Sequence, residues 1–115
     1  MREYELVVVL NPALGQDDAT AHWERIKRGI ADRGGELFHE EHWGMRRLAY
    51  PIRRPGQKYI EGNYYLARFR GDARRVHELE TQLRLVEEVL RFLVVRYEAP
   101  PQPKAQQPAA AEAQA

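Results

Sequence analysis

Nine basic side chains, Arg46, Arg47, Arg53, Arg54, Lys58, Arg68, Arg70, Arg74 and Arg75, fall between residues 42 and 75, where the only acids are Glu61 and Asp72. That block carries +7, residues 1–41 carry −4 and residues 76–115 carry −2, so a chain of net charge +1 holds a strongly basic middle. A basic stripe can attract a polyanion even when the whole molecule is nearly neutral. Arginine suits phosphate oxygens because its planar fork donates two parallel hydrogen bonds. The most distinctive stretch is Trp43-Gly44-Met45-Arg46-Arg47-Leu48-Ala49-Tyr50-Pro51-Ile52. Arg46 and Arg47 are adjacent in an extended run, so they project from opposite faces and at least one is exposed. Aromatic neighbours could stack on unpaired bases. The plainer account makes Tyr50 and Ile52 core residues and the arginines edge-strand charges that deter aggregation.

Other chemistry finds little support. There is no cysteine, which excludes disulfides, thiolate metal sites and cysteine nucleophiles and fits a cytoplasmic protein. His39 and His42 are three apart, and on a strand they point to opposite faces, a poor metal pair. His22 and His77 lie far along the chain, and all four read as surface histidines. The acidic pairs Asp17-Asp18, Glu40-Glu41 and Glu87-Glu88 are sequence neighbours, whereas acid–base work needs two carboxylates converging on one substrate. No GxSxG, P-loop or GxGxxG motif is present. Neither an enzyme nor a cofactor is expected.

The elements that must hold the basic block can be read from periodicity. Residues 4–10 (Tyr-Glu-Leu-Val-Val-Val-Leu) form a β-branched run ending at Asn11-Pro12, and read as a central strand. Ala19, Trp23, Ile26 and Ile30 recur on one helical face; Asp17 and Asp18 sit in the first turn and Gly34-Gly35 ends the helix. Residues 36–52 favour strand, with Pro51 pointing to an edge. Pro55-Gly56 marks a turn before a second strand over 59–70, in which Tyr65, Ala67 and Phe69 face the core. Asp72 caps a second helix striped by Val76, Leu79, Leu83 and Val86. The change to a last strand falls near Glu87-Glu88, and residues 92–97 have strand character.

Strand, helix, strand, strand, helix, strand is the α+β, ferredoxin-like βαββαβ order: a four-stranded antiparallel sheet with two helices on one face. Tyr4, Leu6, Val8, Leu10, Tyr65, Ala67, Phe69, Phe92 and Val94 are expected beneath the helices. The other face would carry Val7, Val9, Leu66, Arg68, Arg70, Arg91, Leu93 and Val95, an apolar surface dotted with arginines that points to binding. The longest early apolar run, residues 6–10, is too short for a membrane helix or a secretory signal. At 115 residues the chain has room for one domain, over residues 1–98. Residues 99–115 hold seven Ala, four Pro and four Gln, and cannot bury enough apolar surface to offset their ordering entropy, so a disordered tail is expected.

Together these residues resemble the bacterial small-subunit ribosomal protein six family. The resemblance rests on Met1-Arg2-x-Tyr4-Glu5, Asn11-Pro12, Gly34-Gly35, Trp43-Gly44-x-Arg46-Arg47-Leu48-Ala49-Tyr50-Pro51-Ile52, Gly62-x-Tyr64-Tyr65, Leu79-Glu80, Leu83-Arg84-Leu85 and Val89-Leu90-Arg91-x-Leu93-Val94-Val95-Arg96. It spans residues 1–97. It implies the same ferredoxin-like fold, a last strand beginning near Glu88, and a structural role in the 30S subunit. It further implies binding to the central domain of 16S ribosomal RNA together with small-subunit ribosomal protein eighteen, with no catalysis or cofactor. Residues 53–61 form a hairpin tip longer and more basic than is usual in the family, and Met45 stands where basic or aliphatic residues are common.

The candidate RNA-contacting residues are Arg2, Arg46, Arg47, Arg53, Arg54, Lys58, Arg91 and Arg96. Arg53, Arg54 and Lys58 rest on local charge alone; the others lie on matched motif positions. For a protein partner the candidates are Val7, Val9, Leu93 and Val95, because exposed β-branched residues are otherwise hard to justify. The alternative is a dimeric ferredoxin-like module holding a small molecule, which would need polar groups converging in an apolar pocket.

Overall fold

A computed structural model describes residues 2–97. The elements are β1 (Arg2–Leu10), α1 (Gln16–Asp32), β2 (Glu36–Arg54), β3 (Gln57–Gly71), α2 (Ala73–Arg84) and β4 (Val89–Arg96). The four strands make one antiparallel sheet in the order β2-β3-β1-β4. This is the expected ferredoxin-like architecture. The strands run a few residues past their sequence-read limits, chiefly at the hairpin, where pairing continues to Arg54↔Gln57.

Local chemistry explains the ends. α1 stops where Gly34 takes φ +79 and the N–H groups of Gly34 and Gly35 bond back to Ala31 and Ile30. Gly35 also permits close packing, since a Cβ there would lie 2.7 Å from Ile30 Cγ2. α2 starts on Asp72, whose carboxylate accepts the Arg74 N–H at 2.9 Å. The helical stripes Ala19, Trp23, Ile26, Ile30 and Val76, Leu79, Leu83 cover Tyr4, Leu6, Val8, Leu10, Tyr65, Ala67 and Phe69 as expected. Phe92 and Val94 are only partly buried at the border of this core, because β4 is an edge strand, and Val89 fills the place at its inner end.

A second cluster lies on the opposite face. Val9, Leu48, Ile52 and Leu90 are buried there, with Tyr59 and Tyr64 packed against them. Its cause is a large irregularity in β2. Residues 48–51 lie between the pairs Arg47↔Glu61 and Ile52↔Tyr59, so four residues oppose Ile60 alone. Extra residues on one strand bend it and increase its twist. The hairpin therefore crosses the open face to β4, which is not a neighbour of β2 in the sheet. There Arg54 Nη2 donates to the carbonyls of Val89 (3.2 Å) and Leu90 (3.1 Å).

Two expectations are corrected by this bend. Val9 is 3% exposed, buried under the hairpin rather than open to a partner. Tyr50 is 74% exposed because it sits on the bulge, while Ile52 is core. Gly62 is where the hairpin meets β1: a Cβ there would lie 2.2 Å from Val9 Cγ1, a stiff β-branched group. Gly62→Ala is expected to cost about 1–3 kcal/mol by overpacking. Adding Val9→Ala should recover part of that loss, so the double variant unfolds in urea at a higher midpoint than additivity gives.

Candidate nucleic-acid and protein interfaces

The basic side chains sort by partner. On the open face Arg68 pairs with Glu5 at 2.8 Å and lies 4.6 Å over the Tyr97 ring. Arg70 pairs with Glu3 at 3.2 Å and lies 4.6 Å over Phe38. Arg75 meets Glu78 at 3.5 Å, and Arg54 is taken by the β4 carbonyls. These four belong to the basic block in sequence, but each already has a partner inside the fold. Arg96 is also engaged within the fold.

The hairpin is different. The register puts Arg53 directly opposite Lys58. Like charges across a strand pair are destabilising, so this pair opposes folding and favours an anion. Arg47 is exposed and lies opposite Glu61, with no ion pair between them within 4.0 Å. Arg46 stacks 5.2 Å from the Trp43 centroid, and Trp43 in turn stacks on Tyr64 with centroids 6.2 Å apart. Trp43 Nε1 donates to Glu41, whose carboxylate also meets His39. Bonding to His39 first, then to Trp43, holds the Glu41 carboxyl below its ordinary range. The result is an aromatic and arginine shelf that leads to a basic hairpin tip.

Arg2 and Arg96 lie at the opposite end of the sheet. Arg2 pairs with Gly71 in register while the hairpin lies past Leu10. Eight residues of strand put these ends about 26 Å apart. The sequence-read set is thus not one site but two groups joined by the sheet. Arg91 is exposed at the inner end of β4, close to Arg54. Arg84, not among the sequence candidates, lies 5.7 Å over the Phe92 ring in the same groove. Only packing of α2 beside β4 brings it there.

For protein contact, Leu93 (58% exposed) and Val95 (42%) project from β4 on the open face, and Val7 is half-buried between them and β3. Phe38 and Tyr97 continue the apolar surface, with ring centroids 6.2 Å apart. The hairpin roofs the remaining part, over Val9.

The helix side is structural. Tyr65 is stacked between Trp23 (5.0 Å) and His42 (4.2 Å), and His42 Nε2 meets Asn63 Oδ1 at 2.9 Å. His42 is exposed as expected, though stacked on Tyr65 and bonded to Asn63, and it faces away from His39. Burial pushes the Tyr65 hydroxyl up. Glu40 accepts from Trp23 and Lys27 at 3.0 Å. The Trp23 bond, above all, holds its carboxyl below the usual range. Burial pulls the Lys27 ammonium down, but hydrogen bonds to Glu24 and Glu40 outweigh it and leave it raised. A groove of about 310 Å³ separates the helices, lined by Ile26, Leu79 and Leu83 and rimmed by Arg25, Arg28 and Arg33. It holds no converging acid–base pair. Among the described residues no group of three His, Asp or Glu side chains could hold a metal, and no helix is long and apolar enough to cross a membrane.

Fold and surface together define a ferredoxin-like module with a basic hairpin and an apolar sheet face. The Ribosomal protein S6 family model matches residues 3–96. The small ribosomal subunit protein bS6 of Nitratiruptor is 43% identical over 98 residues, covering 85% of this chain and 73% of that protein. That of Moorella thermoacetica is 39% identical over 98 residues, covering 85% and 96%. The crystal structure of 30S ribosomal protein S6 from Thermotoga maritima superposes with a TM-score of 0.76 at 31% identity, covering 84% of this chain and 87% of that one. The chain belongs to the ribosomal protein S6 family and is a structural, non-enzymatic protein of the small ribosomal subunit, placed with the ribosome in the cytoplasm.

The tail expected over residues 99–115 lies outside the described residues. Arg54 provides a direct check on the bent hairpin. Arg54→Ala is expected to cost about 1–3 kcal/mol, the worth of charge-assisted bonds to two carbonyls. Amide exchange should accelerate at Ile52 and Tyr59 more than at Leu6 or Ala67.

Proposed function

We propose that this protein binds 16S ribosomal RNA, in its central domain, through the hairpin tip and its flank, and that it does so beside small-subunit ribosomal protein eighteen. The observation that carries the RNA half is the cross-strand pair Arg53↔Lys58 beside exposed Arg47. A fold that sets like charges opposite each other accepts a local cost that a polyanion relieves. Arg46 on its aromatic shelf, and Arg91 at the inner end of β4, extend the footprint. Arg2 and Arg96, at the far end, would meet a second phosphate run of a folded RNA. Arg54 supports this surface indirectly by holding the hairpin down. Phosphate contacts fix position without reading sequence, so recognition by the shape of an RNA junction fits this arrangement. A folded domain over residues 1–98 with a separate tail remains the reading that accompanies it.

The protein half rests on exposed Leu93 and Val95 with half-buried Val7 beside them, an apolar surface that is the partner side of the sheet on this reading. Val9 contributes only by supporting the floor under the hairpin.

Two measurements test the two halves. In filter binding to a 16S central-domain fragment, the Arg47→Ala, Arg53→Ala, Lys58→Ala triple variant should lose affinity. Its salt dependence should also fall by about 2 units of log K per log salt, near 0.7–0.9 for each phosphate contact removed. Unchanged affinity and slope would remove the hairpin from the interface. Leu93→Asp should leave the unfolding free energy within about 0.5 kcal/mol of the parent. It should weaken capture of protein eighteen at least tenfold; intact capture would clear the sheet face of that role.

A further inference from the structure

The two edges of the sheet are unlike. β2 is interrupted at Phe38, at Trp43 and over residues 48–51, and carries Pro51, all devices that prevent another strand from pairing. β4 has none of these beyond Leu90. It runs from Arg91 to Arg96 in continuous register with β1, without proline or glycine.

Among the described residues the pairing fixes which backbone groups have no partner. Tyr97 N donates to Glu3 O at 2.8 Å, which marks a hydrogen-bonded pair. Antiparallel ladders alternate, so Val95, Leu93 and Arg91 direct their N–H and C=O toward β1. Phe92 and Val94 direct theirs outward. Arg54 occupies the outward carbonyl at Leu90, so the open ladder starts beyond it. Alongside this ladder runs a groove of about 450 Å³, lined by residues 89–94, Arg54, Arg84, Arg91 and a single acid, Glu80. Among the described residues neither Arg84 nor Arg91 has a carboxylate partner within 4.0 Å; Arg84 lies against Phe92, and Arg91 stands on the open face.

We propose that the free edge of β4 takes up an extended acidic segment of another protein as a fifth strand. The outward groups of Phe92 and Val94 would supply the ladder. Acidic side chains on its two faces would meet Arg84 and Arg91, and apolar ones would lie beside Leu93 and Val95. This is strand addition, in which backbone bonds give affinity and alternate side chains give selectivity. The chain's own residues 99–115 are poor occupants: Pro100, Pro101, Pro103 and Pro108 have no N–H to donate, and the segment has no Leu, Ile, Val or Phe. A second copy would bring two arginine-lined grooves together. RNA would satisfy the arginines but has no regular row of donors and acceptors to match the ladder.

The inference goes beyond RNA binding, although Arg91 is claimed by both. The test uses the full chain, labelled with nitrogen-15, and an end-capped octapeptide of valine and threonine with two adjacent glutamates, which an extended strand points to opposite faces. The amide protons of Phe92 and Val94 should shift and slow in exchange on addition of the peptide. A lysine counterpart should bind at least about fivefold more weakly, as expected for two rim charge pairs. N-methylation of alternate peptide residues should abolish binding. The Arg84→Glu, Arg91→Glu variant, changed at two exposed sites, should prefer the lysine peptide. Equal affinity for both peptides, or binding without protection of Phe92 and Val94, would overturn the proposal. So would displacement of the peptide by oligouridylate at lower concentration than the peptide itself requires, which would give the groove to RNA. Protection of the same amides that rises with protein concentration alone would give it to a second copy.

Discussion

Strand β1 can be apolar on both faces at its C-terminal end only because the β2–β3 hairpin is bent back over the sheet. Val8 and Leu10 face the helices and Val9 faces the hairpin, and all three are buried. A single helical layer would leave Val9 in water. The four-against-one irregularity of β2, the missing side chain at Gly62 and the Arg54 contacts with β4 together close the second cluster. That closure sets where the hairpin tip stands, and so where its cations stand. It also divides the open face into a roofed part over Val9 and an open part along Val7, Leu93 and Val95.

Electrostatics on this scaffold follow from pairing rather than from composition. Arg68 and Arg70 satisfy Glu5 and Glu3 across neighbouring strands and sit over Tyr97 and Phe38. They stitch the sheet face together and leave less charge for a ligand. Arg53 and Lys58 are set against each other instead. Exposed charge of one sign gathered at the hairpin tip concentrates the field there. The helix side, with its Trp23–Tyr65–His42 stack and the Glu40–Trp23–Lys27 contacts, binds α1 to the sheet and has no evident role toward a ligand.

Membership in the ribosomal protein S6 family accords with this division of labour. A scaffold protein of a ribonucleoprotein particle needs a rigid body, a cationic surface and an apolar surface, without a reaction centre. The body is the two-layer core, the cationic surface is the hairpin, and the apolar surface is the outer half of the sheet.

The sequence by itself determined the element order, the helix caps at Gly34 and Asp72, the core under the helices and the basic middle. Each of these depends on near neighbours or on a short repeat along the chain, so periodicity and composition report them. The resemblance also pointed to the family before any coordinates. What only the tertiary structure decided is which charges remain available and which apolar residues remain exposed. Arg54, Arg68 and Arg70 look alike in sequence to Arg53 and Lys58, and differ because strands distant along the chain place carbonyls or carboxylates beside the first three. Val9 looks like Val7, but three extra residues in β2 carry the hairpin over one and not the other. Long-range pairing and a bulge in a strand leave no periodic trace, which is why the two surfaces could be named from sequence but not drawn.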